Sequence, residues 1–338
     1  MQNKAFFEQF DAIIQSHKRI VVVSHINPDG DAIGSSLAMG FFLKKLGLDT
    51  RVIVPNEFPG FLSWMPGATD ILVYEKHQEK VQEWMSSVDC IIIQDFNSLT
   101  RCGMLKEEIE KASATRILID HHREPDMSQF AFGWSETNVS SASELVAEIV
   151  FHYGMEYVDT NIATDLLVGI MTDSGCFAHS VFHSRTFEIV GALVEKSASY
   201  NEIHRLVYDN FSEGRLRLLG YAINKMEILD DFSVAIIPLK KSELEMFDYH
   251  VGDTEGIVNY PLSIKKIKMS VLLTERQGQI RLSFRSKGDF SVHELSNKHF
   301  GGGGHTNAAG GSIMDCSMEE AVDRLKAVLP EYQHLLNE

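Results

Sequence analysis

This 338-residue chain predicts an α/β fold in two domains. The first would be a mostly parallel sheet with helices on both faces. The second would be a smaller C-terminal α/β domain, with an active-site cleft between the two. Three observations point there. Short apolar runs alternate with amphipathic helical stretches through the first half. Four of the apolar elements lead into Asp or His. Near Phe232 a fresh set of strand patterns begins.

In chain order, Arg19–Ser24 (RIVVVS) reads as a buried strand and Gly34–Leu46 as a helix stopped by Gly47. Thr50–Val54, Asp89–Ile93 and Arg116–Ile119 read as further strands. Ser143–His152 reads as a helix, with Ser141 and Glu144 spaced for a capping box. From Asp159 to Leu229 the pattern is helical, with few Pro or Gly. Beyond it, strands are expected at Ser233–Pro238, Lys266–Thr274 and Gln279–Phe284, and helices near Ser291 and Ser317, each serine three residues ahead of a Glu. The expected domains are 1–190, carrying the chemistry, a helical linker 191–231, and 232–338 for substrate binding.

Composition narrows the function. Hydrophobic residues make up 44% of the chain, enough for a core in each domain. No apolar run approaches the ~20 residues of a membrane span, and the N-terminus MQNKAFFEQFD is unlike a secretory signal. Cys90, Cys102, Cys176 and Cys316 form no C-x-x-C pair, so a reducing cytoplasm is the expected compartment. A net charge of −16 disfavours a grip on long nucleic acid. Lys265, Lys266, Lys268, Arg276, Arg281, Arg285 and Lys287 nevertheless cluster around one acid, Glu275. That cluster reads equally as a solvated strand face or an anion-binding wall.

In open α/β sheets, ligands bind beyond the C-terminal strand ends. There the first strand delivers Ser24-His25-Ile26-Asn27-Pro28-Asp29-Gly30-Asp31, whose Pro28 and Gly30 turn the loop so that His25, Asp29 and Asp31 can converge. As a plain alternative, Asp31 could be only a helix cap. The third strand runs into Asp95, the fourth into Asp120-His121-His122, and the apolar helix LLVGIMTD ends in Asp173. An acid at a helix C-terminus opposes the dipole unless a cation compensates. Together His25, Asp29, Asp31, Asp95, His121 and Asp173 suit two divalent cations. Oxygen and imidazole donors without thiolate fit Mn²⁺, and also Mg²⁺ or Zn²⁺. Asp95, between the two ligand groups in sequence, is the expected bridge. Asp120 is expected to orient His121, leaving His122 to donate to a substrate phosphate.

These motifs resemble the DHH phosphoesterase superfamily. The match comprises SHINPDGDAIGSSLA, the aspartate of IIIQDFNS, the IDHH of LIDHHRE and GIMTDSGCF. FRSKGDFSVHELSNKHFGGGGHTNAAGG is similar to the DHH-associated domain. The resemblance runs from about His17 to Glu320 and is nearest to the bifunctional oligoribonucleases (nanoRNases) and 3′-phosphoadenosine 5′-phosphate (pAp) phosphatases. TDSG stands here where many members have TDTG, which keeps the hydroxyl.

The resemblance implies one metal on His25, Asp29 and Asp95 and another on Asp31, Asp95, His121 and Asp173, most often Mn²⁺. His122 would contact the scissile phosphate, with Asp120 beside it. Arg285, Ser286, Gly302, Gly303, Gly304 and His305 would hold the substrate's other end. Consecutive glycines expose N–H groups to an anion, and a turn alone explains four of them poorly. His179 and His183 follow Asp173 and read as loop or helix-start residues rather than extra ligands. The implied substrates are short oligoribonucleotides and pAp, without long nucleic acid or membrane; the oligomeric state, homodimer included, stays open. The rival readings are a soluble linear- or cyclic-dinucleotide phosphodiesterase and, from another class, a catalytically silent nucleotide sensor.

Overall fold

A computed structural model describes residues 3–178, 181–196, 198–276 and 278–336. The chain divides into two compact units, Met1–Asn210 and Phe211–Glu338. The boundary lies within the helical stretch expected as a linker.

The first unit holds strands β1 (Arg19–Val23), β2 (Asp49–Val54), β3 (Leu72–Val73), β4 (Cys90–Gln94), β5 (Thr115–Asp120) and β6 (Phe132–Ser135). They lie in the order β3-β2-β1-β4-β5-β6, and every pairing is parallel. Its helices are α1 (Lys4–Ser16), α2 (Gly30–Lys45), α3 (Gln78–Met85), α4 (Leu105–Lys111), α5 (Ala142–Tyr153), α6 (Thr160–Asp173), α7 (Ser184–Glu195) and α8 (Tyr200–Tyr208).

Alternation along each strand explains the two covered faces. Ile20, Val22, Ile92, Ile117 and Ile119 pack into one cluster with α1, α2, α5 and α6. Val21, Val23, Ile91, Ile93 and Leu118 pack into the other with α3 and α4. Edge strands β3 and β6 were not anticipated, being two and four residues long. Strand order reverses between β1 and β4, so the loops after them open the crevice where such sheets bind ligands.

Helix α2 begins at Gly30 rather than Gly34. Asp29 is the cap, accepting the N–H groups of Asp31 and Ala32 at 3.1 Å. Asp31 therefore sits in the first turn and is not itself the cap. Helices α2 and α6 cross closely. A Cβ on Gly34 would lie 2.4 Å from the Asp165 carbonyl oxygen, and one on Gly30 would lie 2.3 Å from Thr172 Oγ1.

The second unit holds β7 (Glu227–Leu229), β8 (Val234–Leu239), β9 (Met269–Arg276), β10 (Gln279–Ser286), β11 (Gly303–His305) and β12 (Ala308–Met314). The sheet order is β11-β12-β10-β9-β8-β7, with β8 and β9 parallel and the other pairs antiparallel. Helices α9 (Glu213–Lys225), α10 (Lys241–Glu245), α11 (Val292–Phe300), α12 (Met318–Val328) and α13 (Gln333–Leu336) complete it. The three expected strands are present; β7, β11 and β12 add to them. Among the described residues, no helix is long and apolar enough to cross a membrane.

Candidate metal centre

The six residues read from the sequence converge at the C-terminal edge of the parallel sheet. His25, Asp29 and Asp31 come from the β1 loop and the start of α2, Asp95 follows β4, His121 follows β5, and Asp173 ends α6. Asp95 holds the middle. Its Oδ2 lies 3.4 Å from His25 Nε2 and its Oδ1 lies 3.3 Å from His121 Nε2. Its backbone has φ 65°, a left-handed value that Asp tolerates better than most residues.

Two donor groups flank this carboxylate. In the first, His25 Nε2 lies 3.9 Å from Asp29 Oδ2. The His25 ring is set by Nδ1, which donates to the Ile26 carbonyl at 2.8 Å and so turns Nε2 toward the acids. In the second, His121 Nε2 lies 3.8 Å from Asp31 Oδ2 and 3.6 Å from Asp173 Oδ2. Ligand atoms of His25, Asp29 and Asp95, and those of Asp31, His121 and Asp173, each fall within 4.8 Å of one another.

Asp31 is gripped from behind. Ala142 N–H donates to its Oδ2 at 2.7 Å and Ser143 N–H to its Oδ1 at 2.9 Å. These are first-turn amides of α5, where the helix dipole favours a carboxylate. That turn is braced by Glu144, which accepts from Ser140 N–H at 2.9 Å and from Thr186 Oγ1 at 3.1 Å. A Cβ at Gly169 would sit 1.9 Å from Ser143 Oγ and 2.8 Å from Asp31 Oδ1. The sequence signalled α5's start through Ser141 and Glu144, but not that its amides hold Asp31.

The expected partner of Asp120 needs correction. Its Oδ1 lies 2.7 Å from His122 Nδ1, so it orients His122 rather than His121. Successive residues leaving a strand point to opposite sides, which puts positions 120 and 122 together. Among the described residues, Asp120 Oδ2 is buried without a hydrogen-bond partner.

Electrostatics agrees with a centre built for cations. Burial, then the charges of Asp95 and Asp173, hold the Asp31 carboxyl well above its ordinary range. Burial draws the His121 imidazole down, but Asp173 and Asp95 outweigh it and raise it to about 10. Burial likewise opposes Asp95, yet contacts from His121 and His25 hold it well below the carboxylate range. His122 is lowered, first by burial. Buried like charges are costly unless a cation compensates. Four carboxylates and two imidazoles without thiolate fit hard divalent ions.

Arg285, Ser286 and the Gly302–His305 segment belong to the second unit. Arg285 and Ser286 end β10, with Arg285 Nη1 donating to the Phe284 carbonyl at 3.0 Å and Ser286 Oγ donating to the Phe290 carbonyl at 2.7 Å. Gly303, Gly304 and His305 form β11, paired with β12. Gly302 N–H donates to the Ser296 carbonyl and Gly304 N–H to His293 Nδ1, so these two amides are engaged within the unit rather than exposed. Gly302 is also required by packing, since a Cβ there would lie 1.8 Å from the Gly310 carbonyl oxygen. His183 immediately precedes α7, and its N–H donates to Thr186 Oγ1 at 3.3 Å. His179 lies outside the described residues. Arg101, on the turn after β4, is not singled out by the sequence reading. A lone arginine in a polar turn gives no pattern by which to find it.

Comparison with known proteins follows this geometry. Residues 19–170 match the DHH family, N-terminal domain, and residues 234–333 match the DHHA1 domain. The crystal structure of an exopolyphosphatase-related protein from Bacteroides fragilis is 38% identical, with a TM-score of 0.93 over 100% of both chains. The bifunctional oligoribonuclease and PAP phosphatase NrnA of Bacillus subtilis is 26% identical over 322 residues, 94% of this chain and 95% of that protein. Its Thermus thermophilus counterpart is 26% identical over 317 residues, 92% and 90% respectively.

Proposed function

Since the chain belongs to the DHH phosphoesterase family, we propose that it hydrolyses short oligoribonucleotides to mononucleotides and pAp to AMP, using two divalent ions, most favourably Mn²⁺. One observation carries this reading: Asp95 presents one oxygen to His25 and the other to His121, as a carboxylate shared by two donor groups would. His25, Asp29 and Asp95 would hold one ion, and Asp31, Asp95, His121 and Asp173 the other. Divalent ions held there would supply Lewis-acid charge to a phosphate and would lower the pKa of a bound water.

The chain's own residues do the rest. Asp31, fixed by two backbone amides, keeps its donor direction without reorganising. Asp120 holds His122 by Nδ1, so that its Nε2 is the nitrogen offered to a phosphate oxygen or leaving group. From the second unit, we assign Arg285, Ser286 and the Gly302–His305 segment to substrate binding. The arginine and histidine side chains would carry the contact, because two of the glycine amides are already used. An overall charge of −16 suits a substrate of few phosphates. The four cysteines are free thiols, in keeping with a reducing cytoplasm.

The test is purified protein with Mn²⁺ on di- to pentaribonucleotides, pAp, a long single-stranded RNA, cyclic dinucleotides and pyrophosphate. kcat/KM should be highest on the shortest RNAs and pAp and should fall steeply with length. Equal rates on a dimer and a long strand, or a preference for cyclic dinucleotides, would overturn the assignment.

A further inference from the structure

The six proposed ligands neutralise cations; they do not themselves bind a phosphate. Arg101 is placed to do so. It lies on the short turn Leu99–Cys102 that follows β4, six positions after Asp95. The turn is fastened at several points. Ser98 Oγ accepts the Thr100 N–H at 3.4 Å, and Gln129 Oε1 accepts the Leu99 N–H at 2.7 Å. The Arg101 carbonyl accepts the Ile26 N–H at 2.7 Å, which ties this turn to the His25 loop across the crevice between β1 and β4. At Gly103, with φ 54°, a Cβ would meet Ile26 Cδ1 at 3.1 Å, so the two loops are in close contact.

The Arg101 side chain is half-buried. Several other arginines are held by carboxylates: Arg185 by Glu148, Arg205 by Glu202, Arg217 by Glu213. Among the described residues, Arg101 has no ion pair and no side-chain hydrogen bond. Its turn borders the centre, held to the His25 loop through the Ile26 N–H. An uncommitted guanidinium at the rim of an acidic, cation-holding crevice is matched to an oxyanion. Its planar fork suits two oxygens of one phosphate.

We infer that Arg101 binds the non-bridging oxygens of the phosphate under hydrolysis, supplying from the first unit a contact that the metal ligands cannot. The inference rests on the phosphoesterase reading for its substrate. It adds a catalytic-site residue to that reading, and it separates recognition of the scissile phosphate from that of the substrate's far end. A guanidinium also strengthens its hold as charge accumulates on those oxygens in the transition state, so loss should appear in kcat as well as KM.

Arg101→Ala, Arg101→Lys and Arg101→Met, the last keeping the aliphatic stem, test it. Mn²⁺ stoichiometry and affinity are measured by titration calorimetry. Inorganic phosphate binding to the Mn²⁺-loaded protein and turnover of a diribonucleotide are measured on the same preparations. All three variants should hold Mn²⁺ as the wild type does. Alanine and methionine should weaken phosphate binding by about tenfold or more and lower kcat/KM on the order of 100-fold, as loss of a charged contact implies. Lysine should recover part of each. Wild-type phosphate binding and turnover in the alanine variant would overturn the inference. So would Mn²⁺ loss in parallel with activity in both the alanine and methionine variants, which would make Arg101 a brace for the loop. If the wild type hydrolysed no phosphoester, the functional reading would fail, whereas the phosphate titration would still decide for or against Arg101.

Discussion

Gly169→Ala probes the packing behind Asp31. The new methyl would be built 1.9 Å from Ser143 Oγ and 2.7 Å from Ser143 Cβ, as well as 2.8 Å from Asp31 Oδ1. Ordinary contact begins near 3.4 Å. A hydroxyl rotation could clear the first clash but not the second, so α6 must back away from α5 or the α5 turn must shift. Either movement strains the bonds from Ala142 and Ser143 to Asp31. Overpacking of a tight core costs about 1–3 kcal/mol. In a unit of this size each kcal/mol moves Tm by roughly 2–4 °C, so metal-free protein should melt about 2–12 °C lower. Turnover should fall on the order of 100-fold, since a misplacement of about 1 Å near the reacting groups has that effect. Gly191→Ala is the matched control: it lies in α7, its Cβ would meet nothing within 4 Å, and it should add about 0.5–1 kcal/mol of stability with no change in rate. Differential scanning fluorimetry, Mn²⁺ calorimetry and diribonucleotide kinetics read all three quantities. If Gly169→Ala kept wild-type Mn²⁺ affinity and rate, Asp31 would not depend on that close helix crossing.

Asp95→Ala should abolish turnover and reduce Mn²⁺ stoichiometry while leaving circular dichroism unchanged; full activity with excess Mn²⁺ would refute the shared-carboxylate role. His121 is raised from 6.5 to about 10 in metal-free protein, and Asp31 is raised as well. A raised pKa stabilises the fold below its unfolded value, and that contribution is lost as pH climbs through the folded value. The metal-free protein should therefore lose stability between about pH 7 and 10, and Mn²⁺ uptake near pH 8 should release protons, visible as a buffer-dependent binding enthalpy. Buffer-independent enthalpies would contradict this. Arg285→Ala and His305→Ala should retain full Mn²⁺ binding and lose about tenfold or more in kcat/KM on nucleotides. They should hydrolyse bis-p-nitrophenyl phosphate at nearly the wild-type rate; equal losses on both substrates would remove these residues from substrate binding.

The elements that position the centre could be read from local pattern because each ends an unbroken apolar run. Cys90-Ile91-Ile92-Ile93 can hardly be anything but a buried strand, and Asp95 follows it after Gln94 alone. Where the outcome depended on distant contacts, the pattern was silent or misleading. Gly30 and Asp31 read as loop, yet Asp29 caps them into a helix. His121 is the chain neighbour of Asp120, but strand geometry gives that carboxylate to His122. The glycines after Phe300 read as an open anion cradle. In the structure Gly303–His305 pairs with Ala308–Gly310, a contact made by a hairpin too short to leave an alternation signal. Arg101 is proposed for what it lacks among the described residues, a carboxylate partner, and an absence of that kind has no trace in one dimension.

The position of Asp173 at the end of α6 sets an order of assembly. His25, Asp29 and Asp95 are all synthesised once the chain has passed β4, and β1 and β4 are adjacent strands that can dock as soon as both exist. The Asp31, His121 and Asp173 group waits for 78 more residues beyond Asp95, through two further strands and the α5 amides that aim Asp31. On a translating ribosome the two halves of the centre would mature at different times. If the two-ion reading holds, an ion captured by the nascent chain would enter at His25, Asp29 and Asp95, and competition among manganese, magnesium and zinc would be decided first at that half.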